Sequence, residues 1–179
     1  MEVLLSSEAL RAARNLARLS QRELEHAAEI ARSSIVAAES PNAPSSPTMV
    51  RLRNFYENRG MEFIGNVDVA TGIAERLGVR WRMPAMIPQD FKTDDNFHTE
   101  PSGLAFGPAR GILNLKQSEI AELSGISEHK IRNLEMSRPT DELTSKALRR
   151  FYEANGIEFL GWGDVSRGVF YGVGVRWKF

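Results

Sequence analysis

The side chains able to do chemistry in this chain sit in polar clusters that occur twice. Arg32-Ser33-Ser34 opens one apolar-periodic segment and Glu128-His129-Lys130 opens another, and a glutamine, Gln21 or Gln117, precedes each. Such groups hydrogen-bond and pair charge rather than break bonds. Arginine offers a planar fork of donors, serine a hydroxyl, and asparagine and glutamine a donor and an acceptor together. Catalytic equipment is missing from the sequence. The three histidines (His26, His98 and His129) lie in unrelated settings, there is no cysteine, and no glycine-rich phosphate loop is present. An enzyme is therefore the weakest reading, and neither a metal nor a cofactor is expected.

The clusters recur because the chain contains one unit of roughly 70 residues twice, at a constant offset of 96 positions with no gap. Ala13-Arg14 matches Ala109-Arg110, Phe55-Tyr56-Glu57 matches Phe151-Tyr152-Glu153, and Gly78-Val79-Arg80-Trp81 matches Gly174-Val175-Arg176-Trp177. Leu19, Gln21, Glu23 and Glu39 are likewise repeated at Leu115, Gln117, Glu119 and Glu135. Function must be argued for a pair of modules. Residues shared by the copies are expected to serve the fold, and residues that differ are candidates for recognition.

The 179 residues divide into a first unit over 1–83, a linker over 84–102 and a second unit over 103–179. Units of this size are near the lower limit for independent folding, so each must be compact and helix-rich or lean on its twin. The 23 basic and 23 acidic side chains cancel. Any attraction to nucleic acid must then come from local placement of charge. Nothing near the amino terminus reads as a signal peptide and no apolar run is long enough to span a bilayer, so the expectation is a soluble cytoplasmic protein with no membrane partner.

Periodicity predicts four helices and then two extended segments per unit. Leu10, Ala13, Leu16 and Ala17 form an apolar stripe, and Ser20 with Glu23 makes a capping box for a second helix. A third short helix runs from about Arg32 to Glu39, with Ile35 and Ala38 inward. The second unit repeats this with Gln117 to Ser124, a turn at Gly125-Ile126-Ser127, and Glu128 to Glu135. Gly125 is suited to the left-handed conformation that ends a helix, and Ser127 to capping the next. Fourth helices are expected over Thr48 to Arg59 and Thr144 to Asn155, each stopped by a glycine, Gly60 or Gly156. Alternation in Met61-Glu62-Phe63 with Val79-Arg80-Trp81-Arg82-Met83, and in Ile157-Glu158-Phe159 with Val175-Arg176-Trp177-Lys178-Phe179, predicts a two-stranded ribbon in each unit. Glu62 is placed to face Arg80 or Arg82 across it. The predicted fold class is mainly α with a small β component.

Two short helices joined by a tight turn describe a helix-turn-helix. Both units resemble the helix-turn-helix domain of the phage repressor and Cro family, the Xre-like regulators. The resemblance rests on Arg14-x4-Leu19-Ser-Gln-x-Glu-Leu-x3-Ala28 through Ile35-x3-Glu39. In the second unit it rests on Arg110-x4-Leu115-Lys-Gln-x-Glu-Ile-x3-Ser124-Gly-Ile-Ser through Ile131-x3-Glu135. It covers about 60 residues of each unit, and the second fits better, because Glu29 stands where the turn glycine normally sits and Pro41 to Pro47 makes an unusual loop. The resemblance implies structural ion pairs of Arg14 with Glu39 and of Arg110 with Glu135. It implies double-stranded DNA as partner, with the third helix of each unit in the major groove.

On that resemblance Arg32, Ser33, Ala37, Glu128, His129 and Asn133 read base edges, while Gln21, Ser34, Gln117, Lys130 and Arg138 hold phosphates. Arginine donates twice to guanine, asparagine pairs with adenine, and glutamate accepts from cytosine. Because Arg32-Ser33-Ser34 aligns with Glu128-His129-Lys130, the two units should read different bases. The basic residues Lys116, Lys130, Arg132, Arg138, Lys146 and Arg149 suggest the larger positive footprint for unit two. The linker reads as extended and mobile, with a flexible span on the order of 25 Å and a taut limit of about 60 Å. The ribbons holding Trp81 and Trp177 are expected to associate, because a two-stranded ribbon alone is marginal. A competing reading is a protein-binding regulator, such as an antitoxin or anti-activator, with DNA binding secondary. Val169-Phe170-Tyr171 and an exposed strand edge would then serve self-association or a protein partner.

Overall fold

Helix boundaries follow local capping chemistry. The computed structural model describes residues 5–41, 43–85 and 97–179. In the first half α1 (Ser7–Leu16), α2 (Gln21–Ala28), α3 (Arg32–Glu39) and α4 (Pro47–Glu57) lead into β1 (Met61–Val67) and β2 (Ala74–Trp81). The second half repeats the order with α5 (Phe106–Leu113), α6 (Gln117–Ser124), α7 (Glu128–Glu135), α8 (Glu142–Ala154), β3 (Ile157–Asp164) and β4 (Val169–Trp177). The described residues thus form eight helices and one four-stranded antiparallel sheet, a mixed α and β structure. None of these helices is long and apolar enough to cross a membrane.

Ser6, Ser46 and Asp141 cap α1, α4 and α8 through their side chains, and Ser20 and Glu23 complete the reciprocal box at α2. Gly60 and Gly156 follow α4 and α8 with φ of 86° and 82°. The turn between α2 and α3 is made by Glu29 at φ 53°, the conformation that Gly125 adopts at φ 70° between α6 and α7. Ser127 departs from its expected role, since its hydroxyl makes no capping bond to α7.

Each half closes over an equivalent core. Leu10, Ala13, Leu24, Ile35, Leu52 and Tyr56 are buried in the first, and Phe106, Ala109, Ile120, Ile131, Leu148 and Tyr152 occupy the same repeat positions in the second. The two tyrosine hydroxyls are buried without a hydrogen-bond partner among the described residues, and burial pushes both upward in pKa.

Strands β2 and β4 begin earlier and stop sooner than alternation alone predicts, while β1 and β3 begin where expected and run on to Val67 and Asp164. Met61 pairs with Trp81 and Ile157 with Trp177, so Arg82, Met83, Lys178 and Phe179 lie beyond the ladder. Glu62 faces Arg80 across the hairpin, and the two are ion-paired. The two ribbons are not separate. Strand β2 pairs antiparallel with β4 in the register Gly78↔Arg176, Val79↔Val175, Arg80↔Gly174, giving the strand order β1-β2-β4-β3. Val79 and Val175 are the same position of the repeat, so this register places a local twofold axis between them. A Cβ on Gly78 would come 2.2 Å from the Val175 carbonyl oxygen, and one on Gly174 would come 2.2 Å from that of Val79. The shared glycines are what let the two halves share a sheet.

Helices α1 and α5 pack together beside the same junction. Here the halves are complementary rather than alike. Arg11 and Asn15 of α1 occupy the repeat positions of Gly107 and Gly111, and a Cβ at Gly111 would meet the Asn15 amide at 2.6 Å. The Arg11 guanidinium donates to the carbonyls of Gly111 and Glu39. Burial lowers the pKa of this arginine.

Most of the linker expected to be mobile, residues 86–96, lies outside the described residues. Its described end is docked, not free: the Glu100 backbone exchanges two hydrogen bonds with Phe170 of β4, at 2.9 and 3.0 Å.

Candidate nucleic-acid interface

The start of α2 is tied to the end of α3 by a buried charge. Glu39 accepts from Arg14 Nε at 2.7 Å and Nη2 at 3.0 Å, while Arg14 Nη1 donates to the Leu19 carbonyl. The same carboxylate accepts from the Gln21 amide at 3.0 Å. In the second half Glu135 accepts from Arg110 Nε at 2.6 Å, Arg110 Nη2 at 3.1 Å and the Gln117 amide at 2.7 Å. Burial opposes the charge on Arg110, but the bond and charge of Glu135 outweigh it and raise its pKa. Each fork-shaped pair fixes the angle between the first and third helices, and each glutamine is held at the head of its helix by one amide N–H. The resemblance implied the two arginine–glutamate pairs but not the three-way bond with the glutamines.

The outer faces of α3 and α7 differ. Arg32, Ser33 and Ala37 are exposed and Ser34 is half-buried. The guanidinium of Arg32 has no acidic partner among the described residues, and its backbone N–H is capped by the Glu25 carboxylate at 3.1 Å. On α7 the corresponding groups are engaged. Glu128 accepts from Arg132 at 3.0 Å, and His129 and Asn133 are 3.1 Å apart, ring nitrogen to amide nitrogen. Lys130 donates to Asp141 at 3.0 Å and Thr144 at 3.1 Å, which ties the head of α7 to the head of α8 instead of leaving an ammonium free for phosphate. Bonds from Thr144 and Lys130 hold the Asp141 carboxyl far below the usual range. Arg138 is exposed just beyond α7, with its backbone N–H on the Asn133 carbonyl.

Charge pairing also changes the footprint expected from counting. Of the basic residues assigned to unit two, Lys130, Arg132, Lys146 and Arg149 each have a carboxylate partner, which leaves Lys116 and Arg138. In unit one Arg18 pairs with Glu100 and Arg53 with Glu57, while Arg22 and Arg32 have no carboxylate partner among the described residues. The exposed pairs on α7 and α8 are of the kind that holds weakly, unlike Arg18 on the buried Glu100. The larger positive surface predicted for unit two is therefore mostly neutralised in the free chain.

Sequence reasoning passed over one group, the buried Glu100, whose carboxylate gathers Arg18, Trp81 and His98. No periodicity marks it, because it lies in the linker and has no acidic counterpart in the other half. Comparison with known proteins gave no matching family model, no matching curated protein and no matching solved structure.

Proposed function

We propose that the chain is a sequence-specific double-stranded DNA-binding transcriptional regulator, built as two repressor- and Cro-type helix-turn-helix domains in one polypeptide. The observation that supports this most is the repeated pair α2–α3 and α6–α7, each with an outward polar helix start, related by a twofold axis through the Val79↔Val175 junction. Duplex DNA has matching twofold axes, so a protein of this symmetry suits two half-sites in inverted orientation. The faces of α3 and α7 differ, so the half-sites are unlike. Arg32 is the principal base reader of the first half. His129 and Asn133 supply the base contacts of the second.

The test is titration of the full chain against a duplex it selects, over a range of salt. Arg32→Ala should cost about 1–3 kcal/mol and relax preference at one half-site only, whereas Gln117→Ala should weaken binding evenly across sequences. Unchanged affinity and preference in both variants would remove this docking. A second reading, a protein-binding regulator, is favoured by Leu123 and Leu143, which are 64% and 80% exposed on α6 and α8. Under it, α7 and its neighbours contact a protein partner and only the first half binds DNA.

A further inference from the structure

We propose that Glu100 is a positioning residue that fixes the separation of α3 and α7, and hence the half-site spacing the chain accepts. The inference rests on the DNA-binding reading for its functional consequence, but its structural part stands on its own.

Glu100 is 9% exposed, unusual for a carboxylate in a connecting segment. Its Oε2 accepts from Arg18 at 2.9 Å, and its Oε1 accepts from the Trp81 indole at 3.2 Å and lies 2.8 Å from His98 Nε2. His98 stacks on Trp81 with ring centroids 3.7 Å apart. These partners belong to different moving parts. Arg18 is in the turn that leads directly into α2, and its Nη2 also donates to Ser137 Oγ at 3.2 Å, in the turn that leaves α7. Trp81 ends β2, and the Glu100 backbone pairs with Phe170 on β4. One residue thus links the turn before α2 and the end of β2 through its carboxylate, β4 through its backbone, and the turn after α7 by way of Arg18.

The repeat carries this cluster on one side of the axis only. The positions matching Arg18, Ser137 and Glu100 are Asn114, Pro41 and Leu4, so no equivalent cluster can form on the other side of the axis. The α1–α5 and β2–β4 contacts hold the halves together near the axis. Glu100 holds the Arg18 guanidinium that bonds Ser137 beyond α7, and this Glu100–Arg18–Ser137 tie resists rotation of one half against the other. A buried carboxylate with three donors is a strong restraint, because its removal leaves those donors unsatisfied.

The experiment uses the full chain, which has no cysteine, with spin labels at Ser33→Cys and His129→Cys, and reads the distance distribution by pulsed electron resonance. With Glu100 present the distribution is expected to be single and narrow. Glu100→Ala should broaden or shift it, and Glu100→Asp should restore much of it. An unchanged distribution in Glu100→Ala, with the circular dichroism of the folded chain, would overturn the proposal. On DNA, a series of duplexes whose half-sites are moved apart one base pair at a time should show a preferred spacing about tenfold over its neighbours. Glu100→Ala should flatten that preference while keeping affinity at the best spacing within a few fold. Equal weakening at every spacing would also overturn it, as the mark of a merely structural group. If the labelled chain responds as expected and the unlabelled chain binds no duplex at all, the DNA reading fails and the restraint stands.

Discussion

Replacing Gly174 with alanine probes the junction on which the two-half arrangement depends. The new Cβ would lie 2.2 Å from the Val79 carbonyl oxygen and 2.4 Å from the Arg80 Cα. Both are backbone atoms of the paired strand, so no side-chain rotation relieves the overlap and β2 must move away from β4. Overpacking in a filled interior costs about 1–3 kcal/mol. Parting the strands also begins to expose Val79 and Val175, both 0% exposed, each worth about 1.5 kcal/mol or more when fully buried. Together these place the loss near 3–5 kcal/mol, or a fall in Tm on the order of 10 °C for a chain of this size. Thermal and urea melts followed by circular dichroism measure it. Gly125→Ala is the reference, since nothing lies within 4 Å of its added Cβ and only its φ of +70° is strained. That strain is worth about 1–2 kcal/mol. A loss for Gly174→Ala below that of Gly125→Ala would refute the shared-sheet reasoning.

Glu29→Gly should stabilise the chain by about 0.5–1 kcal/mol in a urea melt, because it relieves a left-handed glutamate at φ 53° against a smaller entropic cost. Glu135→Ala should cost about 3 kcal/mol or more in the same assay, since it strands the Arg110 guanidinium and the Gln117 amide around a vacated, mostly buried position. Acid should also destabilise the fold. Burial alone would raise the Glu100 pKa, but the His98 bond, the Arg18 charge and the Trp81 indole outweigh it and hold the carboxyl below its ordinary 4.5. The unfolded chain then takes up this proton at higher pH than the folded one, so the contribution is complete above about pH 4.5 and fades as pH falls through the lower folded value. Melts at stepped pH should show this loss, reduced in Glu100→Gln.

Much of the architecture was legible because the repeat supplied an internal alignment. The boundaries of α2, α3, α6 and α7 follow from apolar spacing that both copies carry and, for α2 and α6, from Glu23 and Glu119, which accept from the backbone N–H groups of Ser20 and Lys116, and Arg14, Glu39, Arg110 and Glu135 are repeated at the same spacing. What could not be read were the facts that depend on the halves meeting. Gly78 and Gly174 look like ordinary strand glycines until β2 and β4 are paired. Arg11 and Asn15 against Gly107 and Gly111 are differences between the copies that belong to packing, not recognition, so the rule that differing residues serve recognition fails there. Lys130 resembled a phosphate ligand by position, yet Asp141, only eleven residues on, lies within reach across the α7–α8 turn. Charge counts along a sequence do not reveal which charges neutralise each other. Glu100 escaped notice because its partners come from four separate stretches of chain.

The central claim, a single-chain reader of two unlike half-sites, is tested most directly by selecting bound sequences from a random duplex library with the purified full-length chain at two salt concentrations. The predicted result is a salt-sensitive motif of two different arms in inverted orientation, about one helical turn of about 34–36 Å apart. Recovery of only unselected sequence, or of one short arm with no second, would contradict it.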